Sequence, residues 1–188
     1  MSLETRLWFS LLDKRSMELV GSLTGITGGS ITANTGQTIM ETGSMTAPNE
    51  MGKVDWSKVL VQPWREVNGV SWPVGVYIPT IPKLDHNQVS SAANIQLADR
   101  TMLLQRAEVE GEFSIPAGSS VLTEIRNLIS WVGFSPDPLT DPLGTTRSDL
   151  VWDPGTSVLS VINQLLSWQN YRRLTTDTWG RWQVRKAM

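Results

Sequence analysis

Apolar residues recur at helical spacing in two stretches, residues 118–134 and 155–171, which align at a constant offset of 37. Each stretch opens with glycine and two hydroxyl residues, which can accept hydrogen bonds from the free amides of a helix start. Any two amphipathic helices share some apolar positions, but here serines and a tryptophan coincide in register as well. We therefore predict two amphipathic helices of about three turns, related by duplication, that pack on a sheet.

The apolar positions of each stretch define a predicted core face. The first helix is expected to bury Val121, Leu122, Ile125, Leu128, Ile129 and Val132, and the second to bury Val158, Leu159, Val161, Ile162, Leu165, Leu166 and Trp168. The helices end near Phe134 and Tyr171. Three prolines within residues 135–144 predict an exposed loop between them.

In the first half of the chain apolar and polar residues alternate, which is typical of β-strands. We predict strands at residues 3–12, 17–20, 30–34, 38–46, 89–98 and 107–115, with a loop at 47–54 and a helical turn at 99–105. A closing hairpin is expected from residues 171–175 and 181–184, which flank the turn sequence 177–180. Together with the helices, these elements predict an α+β fold with a β lobe at 1–115 and a helical α/β lobe at 116–188.

The clearest hairpin lies within residues 59–79, because Asn68 and Gly69 suit a two-residue turn that requires positive φ. Pro63, Pro73 and Pro79 each remove a main-chain donor. We therefore expect these strands at a sheet edge or at bulges.

Composition narrows the classes of function. The 188 residues contain no cysteine, which excludes disulfides and thiolate metal sites. The chain has sixteen basic and eighteen acidic residues. It therefore lacks the excess of positive charge that tight nucleic-acid binding requires. No apolar run approaches the ~20 residues of a membrane span, and the start of the chain lacks the layout of a signal peptide. We expect a soluble chain made in a cytoplasm, without membrane insertion.

Candidate catalytic chemistry is sparse. The single histidine, His86, lies in a polar loop, and no carboxylates cluster at metal-ligand spacing. The glycine-rich residues 21–36 lack the spacing of a phosphate-binding loop. We find no nucleophile and base pair, and predict a protein that is not an enzyme, with no catalytic residue, cofactor or metal.

Three acidic residues, Glu108, Glu110 and Glu112, alternate within a predicted strand and would share one face. Such a row favours a solvated face that protects a sheet edge or contacts a partner. The alternative is a cell-wall hydrolase that uses Glu110 and Glu112, although paired catalytic carboxylates normally face each other across a cleft.

The aromatic content is unusual, with nine tryptophans against two tyrosines and three phenylalanines. Trp8, Trp152 and Trp168 lie within strand or helix patterns and are expected in the core. Trp64, Trp72 and Tyr77 surround the predicted Asn-Gly turn. They suit a subunit interface, or alternatively a carbohydrate- or cell-wall-binding surface on which sugars stack.

Several segments resemble the tail-tip hub (baseplate) proteins of long-tailed phages, in particular the minor tail proteins of phages that infect actinobacteria. The residues that carry the resemblance are Leu11 to Lys14, the 63–77 hairpin, the two Gly-Ser helix units, and the ending from Trp168 to Val184. The resemblance extends over most of the chain and lies in the order of its predicted secondary-structure elements.

The resemblance implies a tail-tube-like β-barrel lobe followed by a small α/β lobe. It implies a structural virion subunit, assembled in the host cytoplasm, that forms a ring between tail tube and tip. In the family three subunits with two barrels each form the ring, whereas one barrel can be placed here. The second barrel would lie outside this sequence, come from another chain, or be replaced by a different ring. The implied partners are further copies, tail-tube and other tail-tip proteins, and DNA in passage.

Overall fold

The chain folds into two compact units of mixed α and β structure. The computed structural model describes residues 5–34, 37–48, 54–80, 92–136, 139 and 142–187. The first unit comprises Met1–Arg100 with Thr178–Gly180, and the second comprises Thr101–Asp177 with Arg181–Met188. His86, the start of the strand predicted at 89–98 and most of the loop predicted at 47–54 lie outside the described residues.

The first unit is an eight-stranded antiparallel sheet. Its strands are β1 (Thr5–Asp13), β2 (Leu19–Leu23), β3 (Gly28–Ala33), β4 (Glu41–Pro48), β5 (Val59–Val67), β6 (Val70–Pro73), β7 (Tyr77–Pro79) and β8 (Ala92–Asp99). The pairing order is β2, β1, β5, β7, β8, β4, β3, and β6 also pairs with β5. A strand lies at each position predicted within the first hundred residues, but β2 begins at Leu19 rather than at residue 17, and β4 begins at Glu41 rather than at residue 38.

Local turn chemistry sets two of the hairpins. Asn68 and Gly69 adopt φ of 49° and 82°, which confirms the predicted turn between β5 and β6. Between β1 and β2, the Asp13 carboxylate accepts 2.8 Å hydrogen bonds from the amides of Ser16 and Arg15. These bonds lower the pKa of Asp13, since they stabilise its charged form.

One face of the sheet supplies the core of this unit. Its register places Leu11 opposite Val61 and Met45 opposite Ile95. The buried cluster consists of Leu11, Leu23, Met45, Ala47, Trp56, Val61, Tyr77, Ile95 and Leu97. Burial does not alternate along β1, β5 and β7, where consecutive residues are buried, so Leu12, Leu60 and Ile78 are buried on the other face of the sheet.

The edge position expected for the proline-containing strands is wrong for β5, which lies inside the sheet between β1 and its later partners. The Pro63 carbonyl accepts a 2.8 Å bond from the amide of Val74, just beyond the end of β6. In a strand the nitrogen of a residue points to the same side as its carbonyl. Pro63 thus lies where the partner of β5 changes from β6 to β7, so its missing donor interrupts no continuous ladder.

The second unit contains three helices and two short sheets. Its elements are α1 (Thr101–Arg106), β9 (Phe113–Ile115), α2 (Val121–Trp131), β10 (Leu150–Trp152), α3 (Val158–Trp168), β11 (Thr175–Thr176) and β12 (Trp182–Gln183). β9 pairs with β10 and β11 pairs with β12, both antiparallel. The predicted helical turn and closing hairpin are confirmed.

Helices α2 and α3 begin at equivalent positions. Ser120 and Ser157 cap them by accepting bonds from the amides of Thr123 and Ser160. Both helices bury most of the expected faces, but Leu122 and Val132 are only half-buried. Trp168 is 56% exposed, so its predicted place in the core is wrong.

The equivalence extends beyond the helices to the main chain before them. The amide of Val121 donates to Gly144, and the amide of Val158 donates to Ala107, which is the same bond displaced by 37 residues on each side. The bridges Glu108–Ser157 and Ser120–Thr145 are related by the same offset. So are Gly118 and Gly155, which lie two residues before the caps and have φ of 83° and 82°. In β9 and β10, Phe113 pairs with Trp152 and Ile115 with Leu150. The main-chain contacts of one strand-helix half are thus found again in the other half at the same offset of 37.

Two sequence-based expectations fail at the start of this unit. The strand predicted at 107–115 is limited to Phe113–Ile115, because residues 107–109 bond to residues 155–158 at the start of α3. The expected boundary at residue 115 falls instead at Arg100, because α1 packs on α3 and β9 pairs with β10.

Candidate interaction surfaces

Three tryptophans form a stacked group in the first unit. The rings of Trp8 and Trp64 lie parallel, with centroids 5.8 Å apart, and Trp179 meets Trp64 edge-on at 5.6 Å. The pairing of Trp8 with Trp64 across β1 and β5 accounts for the stack. Trp64 is therefore held by neighbours of its own unit, and sequence reasoning did not foresee that group.

The predicted aromatic surface around the Asn-Gly turn is not formed. Trp72 lies opposite Arg65 in the β5–β6 register, one residue from Trp64, so the two tryptophans project from opposite faces of the sheet. Trp72 is 41% exposed, whereas Tyr77 is only 1% exposed. The three aromatics cannot stack on one sugar, which removes the geometric basis of the carbohydrate-binding alternative.

Tyr77 is instead part of a buried polar contact. Its hydroxyl donates a 2.8 Å hydrogen bond to Glu41 on β4. Burial, followed by the charge of Glu41, raises the pKa of Tyr77. A Cβ atom at Gly75 would collide with the Tyr77 hydroxyl. The Tyr77 side chain therefore occupies the space that a side chain at position 75 would need.

The three glutamates do not share a strand face. Glu108 forms a single bridge with Ser157, whereas Glu110 and Glu112 lie in an irregular segment and are exposed. The latter two border a groove of about 440 Å³ in the second unit. The groove is lined by Val109, Glu110, Gly111, Glu112, Phe113, Glu124, Asn127, Leu128 and Trp131, and we call it the acidic groove.

A second groove of about 440 Å³ lies at the equivalent place in the other half of this unit. It is lined by Val121, Thr146, Arg147, Ser148, Leu150, Leu165, Trp168 and Gln169, and we call it the arginine groove. Six of these residues lie 37 positions after a residue of the acidic groove: Thr146, Arg147, Ser148, Leu150, Leu165 and Trp168.

Sequence reasoning missed Glu124, Trp131, Arg147 and the exposure of Trp168. The offset of 37 would have paired Trp131 with Trp168, but residues 107–117 and 144–154 share no identical residue at that offset. The equivalence of the groove residues that precede the two helices is therefore visible only in the main-chain hydrogen bonds of the structure.

The described residues contain no group of three or more histidine, cysteine, aspartate or glutamate side chains arranged to hold a metal ion. Within the same part of the chain, no helix has the length and apolar character needed to cross a membrane.

Comparison with solved structures identifies proteins of similar fold. The tail protein from Neisseria meningitidis MC58 superposes with a TM-score of 0.58 at 12% identity, over 95% of this chain and 50% of its own. The 43 kDa tail protein of prophage MuSo2 from Shewanella oneidensis gives a TM-score of 0.49 at 18% identity, over 97% of this chain and 56% of its own. The chain thus spans about half the length of these proteins. No family model and no curated protein matches the sequence.

Proposed function

We propose that this chain is a structural component of a bacteriophage tail, and that its work in the virion is assembly rather than catalysis. The observation that carries the proposal is the fold similarity to the Neisseria meningitidis tail protein, which extends over 95% of the chain. The likeness includes both units, so it is not confined to a common sheet motif.

The two ends of the sheet support a role in assembly. Within the described residues, β2 pairs with β1 alone and β3 pairs with β4 alone. On β2, Leu19 and Val20 are large apolar side chains exposed to solvent. Unpaired apolar edges promote uncontrolled association, and contacts with neighbouring subunits would cover them.

The finer proposal is a subunit of the tail-tip hub, in which the first unit is a tail-tube-like barrel domain. Copies would form a ring, with a trimer as the expected stoichiometry, that joins the tail tube to the tip and contacts other tail-tip proteins. The near balance of 16 basic and 18 acidic residues suits a ring through which DNA passes without being held.

Mass photometry and negative-stain electron microscopy of the purified chain test the ring. Closed particles of one defined copy number are expected. The variant Val20→Lys places a charge on the exposed edge strand and should shift the particles towards monomers. Asn94→Lys is the control, since Asn94 is exposed on β8, which lies between β7 and β4 rather than at an end of the sheet.

A monomeric wild-type chain at micromolar concentration would contradict the ring. If Asn94→Lys disrupts the particles as much as Val20→Lys does, the edge of β2 is not the contact. Circular dichroism of each variant would establish that the fold itself is retained.

A further inference from the structure

The two grooves of the second unit have the same architecture. Each is bordered by the segment before a short strand, by the first residue of that strand, and by residues of the following helix that include its last one. At the end of each helix an exposed tryptophan lines the groove: Trp131 is 55% exposed and Trp168 is 56% exposed. Large aromatic side chains left exposed at equivalent places are typical anchors of protein contacts.

The two grooves differ in the sign of their charge. Glu110 in the acidic groove is replaced at the equivalent position by Arg147 in the arginine groove. The acidic groove has two further carboxylates, Glu112 and Glu124, and its lining contains no basic residue. The described lining of the arginine groove contains no acidic residue.

The charges of the acidic groove are not compensated locally. Within the described residues, none of Glu110, Glu112 and Glu124 forms an ion pair or a side-chain hydrogen bond. Repulsion among the three carboxylates would be relieved by a cation placed beside them. A cationic guanidinium could also lie over the neighbouring ring of Trp131.

We propose that the acidic groove of one copy binds the arginine groove of a second copy. Each surface has an exposed tryptophan and the two surfaces are opposite in charge, so the chain itself supplies a partner of complementary chemistry. The contact joins two different surfaces, so repetition builds a closed ring when the rotation between copies closes. This inference rests on the proposed assembly into a ring and identifies a contact that holds it.

Charge reversal at the equivalent positions tests the contact. Sedimentation velocity over a concentration series is measured for Glu110→Lys and for Arg147→Glu. Each variant should weaken self-association by about tenfold or more, because an attractive pair becomes a repulsive one. Both positions are exposed, so each variant should melt as the wild-type chain does.

Mixing the two variants provides the sharper result. In Glu110→Lys both equivalent positions, 110 and 147, carry a basic residue, and in Arg147→Glu both carry an acidic one, so an equimolar mixture restores the opposite-charge pair between unlike chains. We expect association in the mixture and not in either variant alone. Asp153→Lys and Arg126→Glu are matched charge reversals at exposed positions of the same unit outside both grooves, and should leave association unchanged.

The possible failures are distinguishable. If the wild-type chain forms rings and neither groove variant weakens them, the contact lies elsewhere, and the groove inference is overturned while the ring proposal stands. Failure of the mixture to associate also overturns the pairing of Glu110 with Arg147. A wild-type chain that stays monomeric contradicts the ring proposal and this inference together.

Discussion

The hydroxyl of Tyr77 donates a 2.8 Å hydrogen bond to the carboxylate of Glu41, although their strands, β7 and β4, are separated by β8 in the sheet. The main-chain amide of Glu41 in turn donates a 3.0 Å bond to Asp99 at the end of β8. Burial and the charge of Glu41 raise the pKa of Tyr77 above its ordinary value of 10.0. The pair therefore links three strands only while the phenol keeps its proton.

The first prediction concerns stability at alkaline pH. The folded state holds the Tyr77 proton more tightly than the unfolded chain does, so this contribution to stability is complete below about pH 10 and is lost as the pH rises further. Urea denaturation of wild type should give a free energy of unfolding that falls as the pH is raised above about 10. Tyr77→Phe should have a shallower fall, with a stability lower by about 1–3 kcal/mol at neutral pH.

The other tyrosine supplies the control for that measurement. Tyr171 lies in the second unit, and Tyr171→Phe should keep the pH dependence of the wild-type chain. Identical slopes for wild type and Tyr77→Phe would contradict the assigned role of the Tyr77 proton.

Features encoded by neighbouring residues were predictable from the sequence. The Asn68–Gly69 turn and the starts of α2 and α3 depend on residues within one turn of chain. The faces of the aromatic residues were not predictable, because they depend on which residues pair across strands. Trp72 pairs with Arg65 rather than Trp64, and this difference of one residue moves it to the opposite face.

The acidic groove and the arginine groove could not be predicted from the sequence for a different reason. Glu108, Glu110 and Glu112 alternate as in a strand, but a single strand pattern cannot reveal that its first residues bond to the loop before α3. The repeat is visible in the helices, where packing on a core restricts the residue types. It is lost in the preceding segments, where the same main-chain bonds tolerate different side chains.

The second prediction tests the hairpin turn. Gly69 has φ of 82°, which side chains adopt at a cost, so Gly69→Ala should destabilise the chain by about 1 kcal/mol. Gly28→Ala is the control, because Gly28 has no positive φ and a Cβ atom there would meet nothing within 4 Å. Thermal unfolding followed by circular dichroism measures both. A larger loss for Gly28→Ala would contradict the assignment of strain to the turn.

The third prediction compares the two helix caps. Ser120→Ala and Ser157→Ala should each cost about 1 kcal/mol, since each removes an acceptor for a helix amide. The loss should be larger for Ser157, whose hydroxyl is buried and also donates a 2.8 Å bond to Ser160. Ser130→Ala, at an exposed position late in α2, should change stability by less than either. Urea denaturation of the three variants gives the ranking, and the reverse order for the two caps would contradict it.

The fourth prediction concerns the core of the second unit. Leu165 is 1% exposed on α3, so Leu165→Asp would bury an unpaired charge at a cost of several kcal/mol. That cost is comparable with the whole stability of a typical domain, about 5–15 kcal/mol, and soluble folded protein should be lost. Ser167→Asp, two residues later and exposed, should remain soluble with a change of about 1 kcal/mol or less. Soluble yield and near-ultraviolet circular dichroism distinguish the two. A soluble Leu165→Asp with an unchanged melting curve would mean that position 165 does not face the core and that the register of α3 is wrong.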